Sequence, residues 1–388
     1  MKYYCIGIKG SGMATLAEIL FDLGHEVSGY DDYKEHKFTQ EGLDKRGIKI
    51  YYDSTHDIPK DTIVTYSKAF SIDHPEIKRV KSLGLKIIAY NELLGKLSSE
   101  FKTIGVSGTH GKTTTSTMIS HVLGETKGCN YFIGDGSGFA DRKNELFTLE
   151  SCEFNRHFLA YHPYYAIVTN IELEHTECYK DIDEIIKTFE EFANKAHYVI
   201  ACGDDKNVRK MNLKNNVTYY GFDDCNDVVC KNVTLDENGS KFDVYIKGEL
   251  YGHFDIPLFG NHMILNALAC ITVCNMEGVD AEKIHSLLHT FKNAKRRFKE
   301  KKFGSVVTID DYAHHPVEIA ATLNTAKLIP HNKVYCVFQP HTYTRTKTLF
   351  DEFTTCFGSA YELILMDIYA AREKDTGLVS SNELGDAI

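Results

Sequence analysis

A glycine-rich segment at residues 105–115 (GVSGTHGKTTT) combines one lysine with several hydroxyl side chains. It follows a β-prone pair at 103–104 and leads into a run at 116–123 that predicts a helix. A glycine-rich turn between strand and helix presents backbone N–H groups that bind anions. In such loops the lysine reaches nucleotide phosphates and the next hydroxyl ligates Mg²⁺, which assigns these roles to Lys112 and Thr113. Val106 departs from the usual pattern, and the alternative is a surface loop.

Two residues at predicted strand ends are candidates for holding the same Mg²⁺. A strand at 145–149 delivers Glu150, and a strand at 165–170 leads to His175. Ligands collect beyond the carboxyl ends of strands in an open parallel sheet, so both side chains are expected beside the glycine-rich loop. Taken singly, each residue is better explained as a solvated charge at the end of a strand, and only their joint placement makes the functional interpretation equally good.

A second glycine-containing turn lies near the start of the chain, between a buried-strand run at 3–8 and a helical pattern at 14–23. A further strand at 26–30 ends in two aspartates, which completes a Rossmann-type β-turn-α-β-acid pattern. Lys9 replaces the middle glycine of the dinucleotide fingerprint, which weakens an NAD-binding interpretation. A different diphosphate remains possible, as does a purely structural turn; the residues that would hold the diphosphate are Gly10, Ser11, Gly12 and Met13.

Polar clusters also follow three predicted strands near the end of the chain, at 306–309, 334–338 and 363–366. Their side chains are expected to meet at one sheet edge. A cationic run at 295–298 is either a phosphate clamp or a solvated loop. His262 and Asn266 lie one helical turn apart, and they either face a nucleotide base together or cap and flank a helix.

The alternation of strands and helices predicts an α/β protein of three domains, at 1–98, 99–295 and 296–388. The first and third are expected to be Rossmann-like and the second a P-loop ATPase-type domain, with the third incomplete. A net charge of −10 argues against general nucleic-acid binding. The sequence has no long apolar run or signal-peptide pattern, and its eleven cysteines are scattered. We therefore expect a cytoplasmic enzyme, monomeric or homodimeric, with reduced thiols and no membrane partner.

Together these motifs resemble those of the Mur ligase family, and the resemblance extends over essentially the whole chain. It rests on GSGM at 10–13, GTHGKTT at 108–114, NIE at 170–172 with His175, KRRF at 295–298, DDYAHHP at 310–316, FQPH at 338–341 and DIYAARE at 367–373. His110 within the loop is typical of one branch of the family.

The resemblance implies an ATP-dependent ligase that joins L-alanine to the lactyl carboxylate of UDP-N-acetylmuramate through an acyl phosphate. It implies that the first turn cradles the UDP diphosphate and that Thr113, Glu150 and His175 hold Mg²⁺ ions. Residues implied to bind ATP are Gly108, Thr109, His110, Gly111, Lys112, Thr113, Thr114, Asn266, Arg297 and Asp311. Residues implied to line the site for alanine and the acyl phosphate are Tyr312, His314, His341 and Arg345.

Departures from the family pattern leave other functions open. Lys9 stands where a glycine is common, and its charge could approach the UDP phosphates. Met263 and Thr342 replace an asparagine and an arginine that are frequent in the family. One alternative is a recycling ligase that attaches a tripeptide to the same UDP-sugar. Others are a UDP-sugar-binding homologue without ligase activity and, on the first turn alone, an NAD-dependent oxidoreductase.

Overall fold

The computed structural model describes residues 1–175, 178–214, 216–236, 239–292, 298–371, 373–375 and 377–388. The chain divides into two compact units, which we describe separately. Unit 1 contains residues 1–234, 240–257 and 261–292, and unit 2 contains residues 235–239, 258–260 and 293–388. Among the described residues, no helix combines the length and the apolar character needed to cross a membrane.

Unit 1 begins with a five-stranded parallel sheet in the order β3-β2-β1-β4-β5. This is a doubly wound order, in which the chain reverses direction across the sheet beside β1. Its strands are β1 (Lys2–Ile6), β2 (Glu26–Tyr30), β3 (Lys49–Tyr51), β4 (Thr62–Tyr66) and β5 (Lys86–Ala89). Its helices are α1 (Ser11–Asp22), α2 (Gln40–Lys45), α3 (Pro75–Ser82) and α4 (Tyr90–Ser98).

The second sheet of unit 1 has the order β15-β14-β13-β12-β11-β10-β6-β9-β7-β8. Its strands are β6 (Lys102–Ser107), β7 (Cys129–Phe132), β8 (Gly138–Phe139), β9 (Leu146–Glu150), β10 (Tyr165–Val168), β11 (Tyr198–Cys202), β12 (Asn216–Gly221), β13 (Val228–Asp236), β14 (Gly239–Ile246) and β15 (Glu249–Ile256). Its helices are α5 (Lys112–Thr126), α6 (Ile182–Ala193), α7 (Asn261–Met276) and α8 (Ala281–His289), with 3₁₀ turns at Phe154–Ala160 and Val208–Lys210.

The centre of this sheet determines which loops meet. β6 pairs in parallel with β9 on one side and with β10 on the other. The segments that follow these three strands therefore leave from the same edge. The predicted helix starts at Lys112 rather than at residue 116, so the lysine belongs to its first turn.

One apolar cluster contains residues from both sheets of unit 1. It includes residues of α1, such as Leu16 and Ile19, together with Phe132 and Phe147 of the second sheet. Arg142 Nε also donates a hydrogen bond of 2.8 Å to the carbonyl oxygen of Leu23. The first turn and the glycine-rich loop therefore lie on elements that share one packed interior.

Unit 2 contains two short ladders among its described residues. β16 (Lys299–Phe303) and β17 (Val306–Asp310) are antiparallel, whereas β18 (Tyr335–Phe338) and β19 (Glu362–Leu365) are parallel. The helices α9 (Pro316–Ala326), α10 (Tyr343–Thr348), α11 (Phe350–Thr355) and α12 (Ser381–Ala387) accompany them, and the core includes Phe338, Phe353 and Leu384.

The strand pairing of unit 2 differs from the sequence expectation in one respect. β17 pairs with the lysine-rich β16 across a two-residue turn, and β18 and β19 form a separate ladder. Gly304 has φ of +60° in that turn, the left-handed conformation that tight hairpins require. The three predicted strand ends therefore do not all belong to one ladder.

Candidate active site

The glycine-rich loop is closed tightly against the end of β10. Gly108 has φ of +143°, and a Cβ there would lie 1.9 Å from Thr169 Oγ1. The backbone N–H of His110 donates to Asn170 Oδ1 at 2.8 Å, and Asn170 Nδ2 donates back to the His110 carbonyl at 3.0 Å. The Asn170 side chain thus pairs with both the backbone N–H and the carbonyl of His110, which fixes the loop before α5 begins.

The outer part of the loop is held by the residues after Asn170. The backbone N–H of Glu172 donates to Thr109 Oγ1 at 2.8 Å, and the backbone N–H of Thr109 donates to the Asn170 carbonyl at 3.0 Å. His110 Nε2 lies 3.4 Å from Glu172 Oε2, so the loop histidine is directed toward a carboxylate. Thr114 is buried within the first turn of α5.

Asn266 of α7 lies against the other side of the loop. Gly111 has φ of +83°, and a Cβ there would lie 2.4 Å from Asn266 Oδ1. The Asn266 side chain is buried, and its Nδ2 makes a weak contact of 3.9 Å with Met263 Sδ. The structure therefore places Asn266 beside the phosphate loop, one turn along the helix from the exposed His262.

Lys112 and His175 converge on a carboxylate that the sequence analysis did not assign. Lys112 Nζ donates to Glu153 Oε1 at 3.1 Å and to the carbonyls of Gly108 and Thr109, while His175 Nε2 lies 3.5 Å from the same Oε1. Glu153 is 2% exposed. Its Oε2 lies 3.0 Å from Lys112 Nζ but accepts no hydrogen bond from the described part of the chain.

The charges of this buried cluster support one another. Burial alone raises the pKa of Glu153, but the Lys112 ammonium and the His175 ring outweigh it and bring that pKa down to about 2. Burial lowers the pKa of Lys112, and the Glu153 carboxylate reverses this, so that the pKa of Lys112 rises above its usual value. Both groups are therefore ionised at neutral pH.

The candidate Mg²⁺ ligands Glu150 and Thr113 are in direct contact. Thr113 Oγ1 donates to Glu150 Oε1 at 3.1 Å, and the backbone N–H of Gly134 donates to Glu150 Oε2 at 2.6 Å. Carboxylate and hydroxyl oxygens are donors that Mg²⁺ prefers, and the buried Glu153 Oε2 adds an oxygen that lacks a hydrogen bond from the described residues. This donor set fits Mg²⁺ bound together with nucleotide phosphates.

The first turn starts α1 and is linked to the same region. Ser11 Oγ donates to the Gly134 carbonyl at 3.4 Å, so Gly134 lies between Ser11 and Glu150. Gly10 caps the helix, and a Cβ on Gly12 would lie 2.6 Å from the Tyr90 hydroxyl. The side chain of Met13 is buried, so only its backbone N–H can face a ligand.

Lys9 does not bring its charge to this turn, and the sequence-based expectation on this point is wrong. Its side chain is 1% exposed. Its Nζ donates to the carbonyls of Tyr33 at 2.8 Å and Glu35 at 2.7 Å and to the Tyr52 hydroxyl at 3.2 Å. These three acceptors engage all three N–H donors of the ammonium group, so Lys9 instead holds the segment after β2 in place.

The predicted residues of unit 2 form a cluster of their own. The His341 ring lies 6.2 Å from His314 and stacks on Tyr369 at 5.5 Å, and the His314 ring lies 5.4 Å from Tyr312. Arg345 Nη1 is 3.1 Å from His341 Nδ1. Burial and the Arg345 guanidinium lower the pKa of His341.

The Asp311 carboxylate accepts hydrogen bonds from two backbone N–H groups near this cluster. Its Oδ2 accepts from the N–H of Phe298 and its Oδ1 from the N–H of Ala313, both at 2.7 Å. Arg297, the other residue implied to contact ATP from this part of the chain, lies outside the described residues.

Glu153, Asn170 and Tyr369 were not assigned a role from the sequence. Glu153 lies three residues after Glu150 at the entrance to a 3₁₀ turn, where residues 155 and 156 have positive φ. No periodic pattern predicts which way such a turn directs a side chain. Asn170 and Tyr369 lie within the motifs quoted above, so proximity to a strand end was an available signal for both.

Three sequence models of one family match consecutive parts of the chain. The Mur ligase family catalytic domain matches residues 2–102, the Mur ligase middle domain residues 106–274, and the Mur ligase glutamate ligase domain residues 296–388. Together they account for most of the sequence.

Solved structures show the same similarity. A UDP-N-acetylmuramate-alanine ligase, MurC, from Thermotoga maritima shares 26% identity over 100% of this chain and 88% of its own, with a TM-score of 0.83. A murein peptide ligase from Psychrobacter arcticus shares 22% identity over 100% of this chain and 87% of its own, with a TM-score of 0.72. MurF from Thermotoga maritima, in complex with ADP, shares 18% identity over 79% and 75%, with a TM-score of 0.61.

The three family models leave only residues 1, 103–105 and 275–295 unmatched, and the match to the first of these structures covers the whole chain. The mixed α/β fold, with Rossmann-like first and last domains, agrees with them. The chain therefore belongs to the Mur ligase family, whose members are ATP-dependent ligases of peptidoglycan precursor synthesis.

Proposed function

We propose that this ligase joins L-alanine to the lactyl carboxylate of UDP-N-acetylmuramate, with ATP and Mg²⁺ as cofactors. The supporting observation is the path of contacts Ser11–Gly134–Glu150–Thr113, which connects the candidate diphosphate turn to the phosphate loop. A carboxylate substrate anchored by its UDP group at the first turn would need its reacting end near the ATP phosphates. The path supports a common site for both substrates.

Unit 1 provides the groups that phosphoryl transfer requires. The loop N–H groups and the α5 N-terminus bind the ATP phosphates, and Lys112 exchanges its contact with Glu153 for a phosphate oxygen. Thr113, Glu150 and His175 hold Mg²⁺, which neutralises phosphate charge when bound. Positioning and electrostatic stabilisation are the main contributions of a protein to this chemistry.

The amine attacks the carbonyl of the acyl phosphate, and phosphate leaves. Tyr312, His314, His341 and Arg345 are the residues we assign to the alanine and acyl-phosphate groups. His341 has a pKa below its usual value and is neutral near pH 7, so a ring nitrogen is available to accept a proton from the alanine ammonium. The same proposal includes domain boundaries at 98/99 and 295/296, a cytoplasmic location, and a monomeric or homodimeric state.

The proposal is tested by measuring phosphate release from ATP in the presence of Mg²⁺ and UDP-N-acetylmuramate, with one candidate amine substrate added at a time. We expect release that depends on L-alanine, with the mass of UDP-N-acetylmuramoyl-L-alanine in the product. Lys112→Met should abolish it, and Lys127→Met, an exposed lysine at the other end of α5, should not. Release with the tripeptide L-alanyl-γ-D-glutamyl-meso-diaminopimelate but not with alanine would identify a recycling ligase. Binding of the UDP-sugar without release would identify an inactive homologue.

A further inference from the structure

A cluster of two histidines and one carboxylate lies in unit 1, away from the phosphate loop. His285 and His289 are one turn apart on α8, and both direct a ring nitrogen at Asp255 of β15. His285 Nε2 contacts Oδ1, and His289 Nδ1 lies 2.5 Å from Oδ2. In the order of the second sheet, β14, β13, β12, β11 and β10 separate β15 from β6, so the ATP site does not use these residues.

We propose that Asp255, His285 and His289 form a binding site for a divalent transition-metal ion. Their ligand atoms all lie within 4.8 Å of one another. Imidazole nitrogens at i and i+4 on a helix are a spacing that chelates such ions, and a carboxylate supplies a third ligand. Two nitrogens and one oxygen suit Zn²⁺, Ni²⁺, Co²⁺ or Cu²⁺ better than Mg²⁺, which prefers oxygen donors.

The backbone around the cluster is held firmly, while the imidazoles can adjust. Ile284 and Leu288 on the inner face of α8 are fully buried. Phe254, which precedes Asp255 in β15, is 2% exposed. Asp280 caps the helix by accepting from the N–H of Glu282 at 2.9 Å. The His285 and His289 side chains remain 40% and 60% exposed. Small χ rotations can therefore spread the ligand atoms to about 3.4 Å apart, as tetrahedral bonds of about 2.1 Å require.

The charged residues near the site include a carboxylate, which favours a bound cation, and a lysine, which opposes it. Asp243 accepts from Asn232 and pairs with His253 at 2.5 Å on the neighbouring strand, so a second acid–histidine pair lies close by. Lys241 is the register partner of Asp255 across the β14–β15 ladder, and its positive charge opposes metal binding. Water can reach the exposed side of His289 to complete the coordination.

The site would join the edge strand β15 to the helix that covers it. An ion bound there in the folded state and not in the unfolded chain raises stability by mass action. This role is independent of the ligase reaction, so the proposal does not depend on the substrate that the enzyme uses.

Calorimetric titration of the 388-residue protein with Ni²⁺ tests the proposal, because imidazole binds this ion well and exposed thiols can be monitored separately. We expect one saturable site per chain, at least tenfold weaker binding in His289→Ala, and loss of the site in the variant that also carries His285→Ala. A Co²⁺ spectrum should show d–d bands without a thiolate charge-transfer band.

The control is His36→Ala, which removes an exposed histidine paired with a single carboxylate, Asp44, at 3.7 Å. It should leave the affinity unchanged, and Lys241→Ala should increase it. Because His289 is exposed, its removal should leave the circular dichroism unchanged. The proposal is overturned if the wild type shows no saturable binding, which would make the cluster an ion-pair network only, or if His289→Ala binds Ni²⁺ as tightly as the wild type does.

Discussion

Glu153→Gln removes the buried negative charge between Lys112 and His175 while keeping the size of the side chain. Glutamine has nearly the shape of a neutral carboxyl group and cannot ionise. The variant therefore measures how strongly the folded protein favours the ionised form of Glu153.

The magnitude follows from the pKa. It falls from the usual 4.5 to about 2, and each pH unit corresponds to about 1.4 kcal/mol, so the ionised form is favoured by about 3 kcal/mol. We therefore expect Glu153→Gln to lower the free energy of unfolding by about 3 kcal/mol at pH 7, in the range found when one partner of a buried pair is removed.

The loss should depend on pH in a defined direction. The folded-state pKa is lower than the unfolded-state pKa, so the stabilisation is present above about pH 4.5 and is lost as the pH falls toward 2. The difference between wild type and variant should shrink to roughly half of its pH 7 value at pH 3.

Denaturant unfolding followed by circular dichroism suits this chain, which contains no tryptophan. Glu145→Gln is the matched control, because Glu145 is an exposed carboxylate just before β9, and it should change stability by less than about 0.5 kcal/mol. A loss below about 1 kcal/mol for Glu153→Gln at pH 7, or a loss equal at pH 7 and pH 3, would refute the reasoning.

Three further predictions concern single positions. Gly111→Ala should reduce ATP affinity at least tenfold and destabilise the protein by more than about 1 kcal/mol, because the φ of Gly111 is +83° and a Cβ would meet Asn266. Gly124→Ala, in the last turn of α5 with open space around it, should instead stabilise the protein by about 0.5–1 kcal/mol in the same denaturation assay. Lys9→Met should cost about 2–3 kcal/mol of unfolding free energy by removing the hydrogen bonds that the ammonium group donates to the Tyr33 and Glu35 carbonyls, and an unchanged denaturation midpoint would contradict the assignment. His341 should titrate below pH 6.5 by NMR, so that stability rises with pH between its folded and unfolded pKa values, and His341→Asn should remove that dependence.

Spacing along the sequence predicted that Glu150 lies beside the glycine-rich loop, because parallel strands bring their carboxyl ends together. Glu150 and Thr113 are far apart in the chain, yet both follow strands of one sheet, and the structure brings them into contact. Glu153 was not assigned because its direction depends on an irregular turn. The expectation for Lys9 was wrong because its acceptors are carbonyls of a non-repetitive segment that no pattern places. β16 was not predicted because its lysines and glutamate hide the alternation typical of a strand.

The contacts of Gly134 would couple the two binding events that we propose, that of the UDP-sugar and that of ATP with its metal. Its carbonyl accepts from Ser11 and its N–H donates to Glu150, so a diphosphate that draws Ser11 away also changes what restrains a metal-binding carboxylate. Such coupling is reciprocal in free energy: by whatever factor a UDP-sugar alters the affinity for ATP and its metal, ATP alters the affinity for the UDP-sugar by the same factor. One peptide unit of the chain would then make the binding of the UDP-sugar and the binding of ATP cooperative, with neither substrate required to bind first.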